Sequence, residues 1–166
     1  DFRKLGRPRL FFGISAGCMD SMVNKYTANK RLRSDDAYTP DGRPDMRPEY
    51  PSIVYTQILK KLYPDVPVVL GGIEASMRRL SHYDYWQDRL KKSILCESGA
   101  DMLIYGMGEK PICELVCRLT ALCDNQDGVI SSSDIHSPAL SSIPQTAYLT
   151  RKYESDENDI TLYSHE

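Results

Sequence analysis

Apolar residues in this chain gather in short runs between polar turns, and the runs alternate between two periods. Leu10-Phe11-Phe12-Gly13-Ile14-Ser15, bounded by Pro8 and Gly17, has the length of a strand buried on both faces. After Pro51, the residues Val54, Tyr55, Ile58, Leu59 and Leu62 recur at three- and four-residue spacing, which predicts a helix ending near Tyr63-Pro64. Val66 to Leu70 is a second β-branched run stopping at Gly71-Gly72, and Asp101 to Tyr105 is a third. Between them, Trp86 to Cys96 shows helical spacing, with Leu90, Ile94 and Leu95 inward and Arg89, Lys91 and Lys92 solvated, until Gly99 ends it. Pro111 opens an amphipathic helix carrying Ile112, Leu115, Val116, Leu119 and Leu122. Strand and helix alternate three times, which requires right-handed crossovers and an open parallel sheet with helices on both faces: an α/β, Rossmann-like fold.

Two stretches break the alternation. Asp20 to Pro48 has poor periodicity apart from a helical piece near Met19–Lys30, and Thr39-Pro40-Asp41-Gly42-Arg43-Pro44 is a cluster of turn formers. A connection this long is either a binding or docking loop or a mobile connector. After Cys123 the pattern dissolves, with strand-like runs at Thr146–Thr150 and Asp159–Tyr163. The expected division is an α/β domain over 1–123 and an irregular extension or linker over 124–166, with no internal repeat.

The 166 residues suffice for one compact domain, and 41% hydrophobic with 27% charged is ordinary globular usage. No apolar run approaches the ~18 residues of a membrane span and no signal-peptide core follows Asp1-Phe2-Arg3-Lys4, so the expectation is a cytoplasmic protein without membrane contact. A net charge of −2 does not drive the chain onto nucleic acid, which a local patch would have to recruit. Five cysteines, an odd number, fit reduced thiols. The charged start and the ending Tyr163-Ser164-His165-Glu166 suggest a piece of a longer protein.

Ligands of open parallel sheets bind beyond the carboxyl ends of the strands. All three strands end there in glycine-bearing loops: Ser15-Ala16-Gly17, Gly71-Gly72-Ile73-Glu74-Ala75-Ser76 and Gly106-Met107-Gly108-Glu109-Lys110. Such loops let a nucleotide, phosphate or amide-rich cofactor approach the backbone, or they simply serve tight turns. The candidate cofactor-binding residues are Ser15, Gly17, Gly71, Gly72, Glu74, Ser76, Gly106, Gly108 and Glu109. Glu74 and Glu109 would accept hydrogen bonds from ribose or amide groups, or Glu109 would complement a helix N-terminus. Pro111 stands where a dinucleotide fingerprint needs its third glycine, which disfavours a nicotinamide dehydrogenase.

Arg78, Arg79, His82, Tyr83, Asp84, Tyr85 and Trp86 follow directly, combining charge and planar apolar area in a segment suited to substrate or domain recognition, or to an aromatic bend with solvated arginines. His82 and Asp84 are too close in sequence to diagnose a catalytic pair, and no nucleophile elbow is present. Cys113, Cys117 and Cys123 match no zinc or iron–sulfur spacing and read as core filling. No catalytic or metal-ligating residue is assigned.

Gly6-Arg7-Pro8, Phe12 to Gly17, Met19 to Asn24, Tyr26-Thr27, Arg33 to Pro40, Gly71 to Arg79, His82 to Trp86 and Tyr105 to Glu109 together give the chain its resemblance to the YgiQ-like family of radical SAM proteins. The resemblance covers most of residues 5–115. It implies a cobalamin-binding-like α/β region placed before a radical SAM domain, the partner in cis. In the full-length protein that domain holds a 4Fe–4S cluster and S-adenosylmethionine through a three-cysteine loop absent here, so neither would be bound by this fragment. Cobalamin binders carry an Asp-x-His-x-x-Gly motif that this chain lacks, so retention of the fold as a scaffold is favoured over cobalamin binding. The expectation is an accessory substrate- or cofactor-binding domain of an enzyme whose substrate the resemblance does not give. The alternatives are a stand-alone nucleotide- or cobalamin-binding module and an interaction domain.

Overall fold

A computed structural model describes residues 2–4, 6–125, 128, 130–151, 157, 159 and 160. The three runs read as strands form β1 (Phe12–Ile14), β2 (Val68–Leu70) and β5 (Met102–Ile104). They pair in parallel in the order β1-β2-β5, with Gly13 opposite Val69 and Leu70 opposite Leu103. At the far side of β5 the short strand β6 (Thr146–Ala147) runs antiparallel. The fold is α/β with a mostly parallel open sheet, as the alternation predicted.

Successive residues of a strand face opposite sides, and here both sides are covered. Ile14, Val68, Leu70 and Leu103 pack with Leu59 of α2 (Pro51–Leu62), Ala75 of α3 (Gly72–Met77) and Ile94 and Leu95 of α4 (Ile94–Ser98). Val69, Met102 and Ile104 face the other way, against Leu115, Leu119 and Cys123 of α5 (Glu109–Asn125). The stripe on α5 has a spacing of four. Cys113 and Cys117, expected in the core, lie off it and are exposed, as Val116 is in part. Of those three cysteines, Cys123 alone fills the core.

The same face receives Ile130, Ile135, Leu140 and Ile143, so 130–147 is packed structure, largely irregular, around a 3₁₀ turn (Asp134–His136) and a short helix α6 (Pro138–Ser141). The strand-like run at Thr146–Thr150 shrinks to β6, and the run at 159–163 lies outside the described residues beyond Ile160.

The helix expected from Trp86 is overturned. His82–Asp84 (β3) and Arg89–Lys91 (β4) form an antiparallel hairpin, and helix begins only at Ile94, capped by the Ser93 hydroxyl and closed by Gly99 in the left-handed conformation. The Asp84 carboxylate accepts the Gln87 N–H at 2.9 Å and Asp88 takes a positive φ of 52°, which makes the turn. Two residues face opposite to expectation, Leu90 at 66% exposed and Lys91 buried, while Ile94 and Leu95 are inward and Arg89 and Lys92 exposed as expected. The Lys91 ammonium lies 4.2 Å from the Tyr50 ring centroid and 2.9 Å from Glu97, partners that the hydrophobic period cannot reveal.

The long connection between β1 and α2 carries a short α-helix, α1 (Ser21–Lys25), inside the expected 19–30 window, and a 3₁₀ turn at Pro40–Gly42 within the cluster of turn formers. Among the described residues, no helix is long and apolar enough to cross a membrane.

Candidate functional site

The three glycine loops do meet. At the carboxyl ends of β1, β2 and β5 they surround an open cleft of about 500 Å³. Ser15, Gly71, Gly72, Gly106, Gly108 and Glu109 line it, as expected from their places after the strands. Gly13, Ile14, Val69, Leu70, Ile104 and Ile112 complete the lining, residues that in the sequence have only the look of core positions. The walls are mostly apolar, and Glu109, in the first turn of α5, is the one ionisable side chain among the lining residues.

The paired glycines differ in kind. Gly72 has φ +82°, and a Cβ there would come within 2.6 Å of the Ser15 Oγ, so backbone and packing both require glycine. Gly71 is extended, at φ −151° and ψ −177°, and a Cβ built on it meets nothing within 4 Å. The space beside Gly71 is the cleft itself. Gly17 has a packing reason of its own: the Tyr38 ring lies 2.5 Å from where its Cβ would stand.

Three expected ligand contacts are committed elsewhere. Glu74 is 1% exposed and points away from the cleft, its carboxylate accepting the Ser21 N–H at 2.9 Å and the Ser52 N–H at 3.3 Å. It thereby satisfies free donors at the starts of α1 and α2. Ser76 donates to the Gly72 carbonyl at 2.8 Å and accepts from the Gly106 N–H at 3.3 Å, joining two of the loops. Gly17 and Ser76 do not line the cleft.

Arg78, expected at a recognition surface, is buried. Its guanidinium lies 2.8 Å from Asp20 and 3.0 Å from Asp84, with its Cζ 5.0 Å from the Tyr50 ring centroid. Asp20 also caps α1, taking the N–H groups of Met22 and Val23 at 3.0 and 3.3 Å. Asp84, also buried, accepts the Tyr50 hydroxyl at 2.8 Å. Burial alone would raise the Asp84 pKa, but the Gln87 N–H, the Tyr50 hydroxyl and Arg78 outweigh it and hold it below 3.8. The same carboxylate, after burial, pushes the Tyr50 phenol upward.

His82 is half-buried, with Nδ1 at 3.1 Å from the Leu80 carbonyl and Nε2 at 3.2 Å from Arg78 Nη1; these partners select the tautomer protonated at Nδ1. Arg79 donates to the Ser76 carbonyl at 2.6 Å and lies over Tyr105. The residues that do present surface are Tyr83 and Tyr85, which with Val23, Met77 and the half-buried Trp86 border a shallow hollow of about 210 Å³. The Tyr83 hydroxyl bonds Asp88, and the Tyr85 hydroxyl donates to the Ala28 carbonyl at 2.7 Å. Trp86 packs between Tyr26 and Tyr85, with centroids 5.4 and 5.2 Å away.

Among the described residues no three of His, Cys, Asp and Glu group as metal ligands, and no histidine lines the cleft.

The family model described as Radical SAM N-terminal matches residues 1–166. A UPF0313 protein of Bacteroides thetaiotaomicron is 72% identical over 168 residues, covering all of this chain and 27% of the relative. One from Porphyromonas gingivalis is 64% identical over 169 residues, covering all of this chain and 25% of the relative. The UPF0313 protein YgiQ of Escherichia coli is 58% identical over 119 residues, or 72% of this chain and 16% of the relative. The chain thus spans about a quarter, or less, of the length of these relatives. No solved structure matches it.

Proposed function

The chain belongs to the Radical SAM N-terminal family, and from that premise we propose that it is the accessory α/β part of a full-length radical SAM enzyme, with its glycine-lined cleft holding a small substrate or cofactor. The observation that carries this reading is Gly71, a glycine that neither its φ nor any neighbouring atom requires, opening into the cleft. Glycine at such a position leaves room for a ligand to approach the backbone.

The lining narrows the ligand class. Among the described residues no lysine or arginine lines the cleft, while Glu109 does, so a phosphate-rich nucleotide is poorly matched. A neutral or cationic molecule with an apolar body and a hydroxyl or amine donor for Glu109 fits. The 4Fe–4S cluster and S-adenosylmethionine are assigned to the rest of the polypeptide, where the reduced cluster would supply the electron that cleaves the sulfonium. This chain's residues would bind and orient the ligand. The apolar side chains of Ile14, Ile104 and Ile112 would pack against the ligand's apolar body. Tyr83, Tyr85 and Met77, exposed around the shallow hollow, serve contact with the rest of the polypeptide in cis. Five free thiols fit the reducing cytoplasm.

The test is anaerobic reconstitution of the full-length protein. About four irons per chain and release of 5′-deoxyadenosine on reduction are expected. Gly71→Val, which fills the cleft without backbone strain, should retain the iron and the basal cleavage while weakening binding of small molecules that protect the wild type thermally. Absence of both iron and 5′-deoxyadenosine in a folded sample would overturn the enzymatic assignment. Undiminished ligand protection in Gly71→Val would overturn the cleft.

A further inference from the structure

Among the described residues, one edge of the sheet is finished by β6; at the other, β1 pairs with β2 alone. The Phe12 N–H donates to the Pro67 carbonyl at 2.9 Å, and the Gly71 N–H donates to the Ile14 carbonyl at 2.9 Å, so Phe12 and Ile14 turn their backbone groups toward β2. In a parallel ladder the intervening residue turns its groups to the opposite neighbour. The N–H and C=O of Gly13 therefore point outward.

Natural proteins blunt a free edge with charges, proline or a bulge. β1, Phe-Gly-Ile, has none of these. An apolar groove of about 370 Å³, lined in part by Phe2, Phe12, Tyr55 and Leu59, runs beside it. Gly13 has no local cause: its φ is not positive, and a Cβ on it would meet only the Phe11 ring, at 4.0 Å. Glycine within a strand marks close approach by a ligand or another backbone.

Topology indicates what approaches. The order β1-β2-β5 steps across the sheet in one direction, and ligand crevices of open α/β sheets lie where the strand order reverses. The far side of β5 is taken by β6, so the reversal falls at the free edge of β1, where the cleft already opens through Gly13 and Ser15.

We infer that the free edge of β1 receives a further strand, parallel to β1, from the part of the full-length protein outside this chain, and that this strand forms the second wall of the cleft. The length is available, since the chain is 27% and 25% of the two UPF0313 relatives that match all of it. Twofold pairing of two copies would set their β1 strands antiparallel and leave the reversal unmade. The second half of the inference rests on the cleft being a ligand site; the first does not.

Amide hydrogen exchange at single-residue resolution on the full-length protein tests it. The Gly13 amide should exchange more than ~100-fold slower than an unstructured amide, independently of protein concentration. Exchange of Gly13 within ~10-fold of the unstructured rate, with Ile14 still protected, would overturn the inference. So would protection that appears only as sedimentation shows a dimer. Neither readout needs iron or S-adenosylmethionine, so loss of the enzymatic reading and loss of the added strand are separate results.

Discussion

At the scale of single residues, the molecule devotes its buried charges to fixing loops. Arg78, from the end of α3, holds Asp20 at the start of α1 and Asp84 on β3, while Asp36 accepts Arg47 at 2.9 Å, the Tyr38 N–H at 2.9 Å and the Asn24 amide at 2.8 Å. In Asp36, as in Asp84, these donors overcome burial and lower the pKa below 3.8. A carboxylate with a lower pKa folded than unfolded stabilises the fold above its unfolded value and loses that share as pH falls through the folded one. Urea midpoints measured across acid pH should therefore stay level above the ordinary carboxylate range and drop below 3.8. Asp84→Asn should be less stable at neutral pH and should show a shallower acid drop. The sequence showed Arg78 and Asp84 as types, but not that each had a buried counter-charge more than five residues away.

At the scale of elements, periodicity succeeded where apolar residues face the core and failed where polar ones do. Val68-Val69-Leu70 is buried on both faces because α2 and α4 cover one and α5 the other, which a β-branched run announces. The β3–β4 hairpin buries Asp84 and Lys91 and exposes Tyr83 and Leu90, so its pattern imitated a helix. Leu90→Lys should accordingly change stability by no more than about 0.5 kcal/mol in a thermal melt, as at other exposed sites. Lys91→Glu, which puts a second carboxylate beside Glu97 and removes the cation from Tyr50, should be destabilising by several-fold more. A helix from Trp86 would reverse that order. The cleft residues were legible because a strand followed by glycine fixes which end of the sheet they occupy. Glu74 was misplaced because its partners, the amides of Ser21 and Ser52, come from two other helices.

At the scale of the whole molecule, the packing around the sheet reaches past residue 123, where Ile130, Ile135, Leu140 and Ile143 join the core against α5. Leu140, fully buried against α5, makes the point testable: Leu140→Ala should cost about 2–5 kcal/mol in a denaturant titration. A change near zero would mean that 130–147 is only a tether. The connections across the body also run from the cleft outward. Gly72 at its rim begins α3, Glu74 on that helix grips α1 and α2, and Arg78 at its end grips the hairpin that carries Trp86 between two tyrosines. Trp86 is the sole tryptophan of these residues. The fold thus contains its own fluorescent gauge, wired by a single short helix to the place where a ligand would sit, and a tilt of that helix can be followed as a change in emission without attaching any dye.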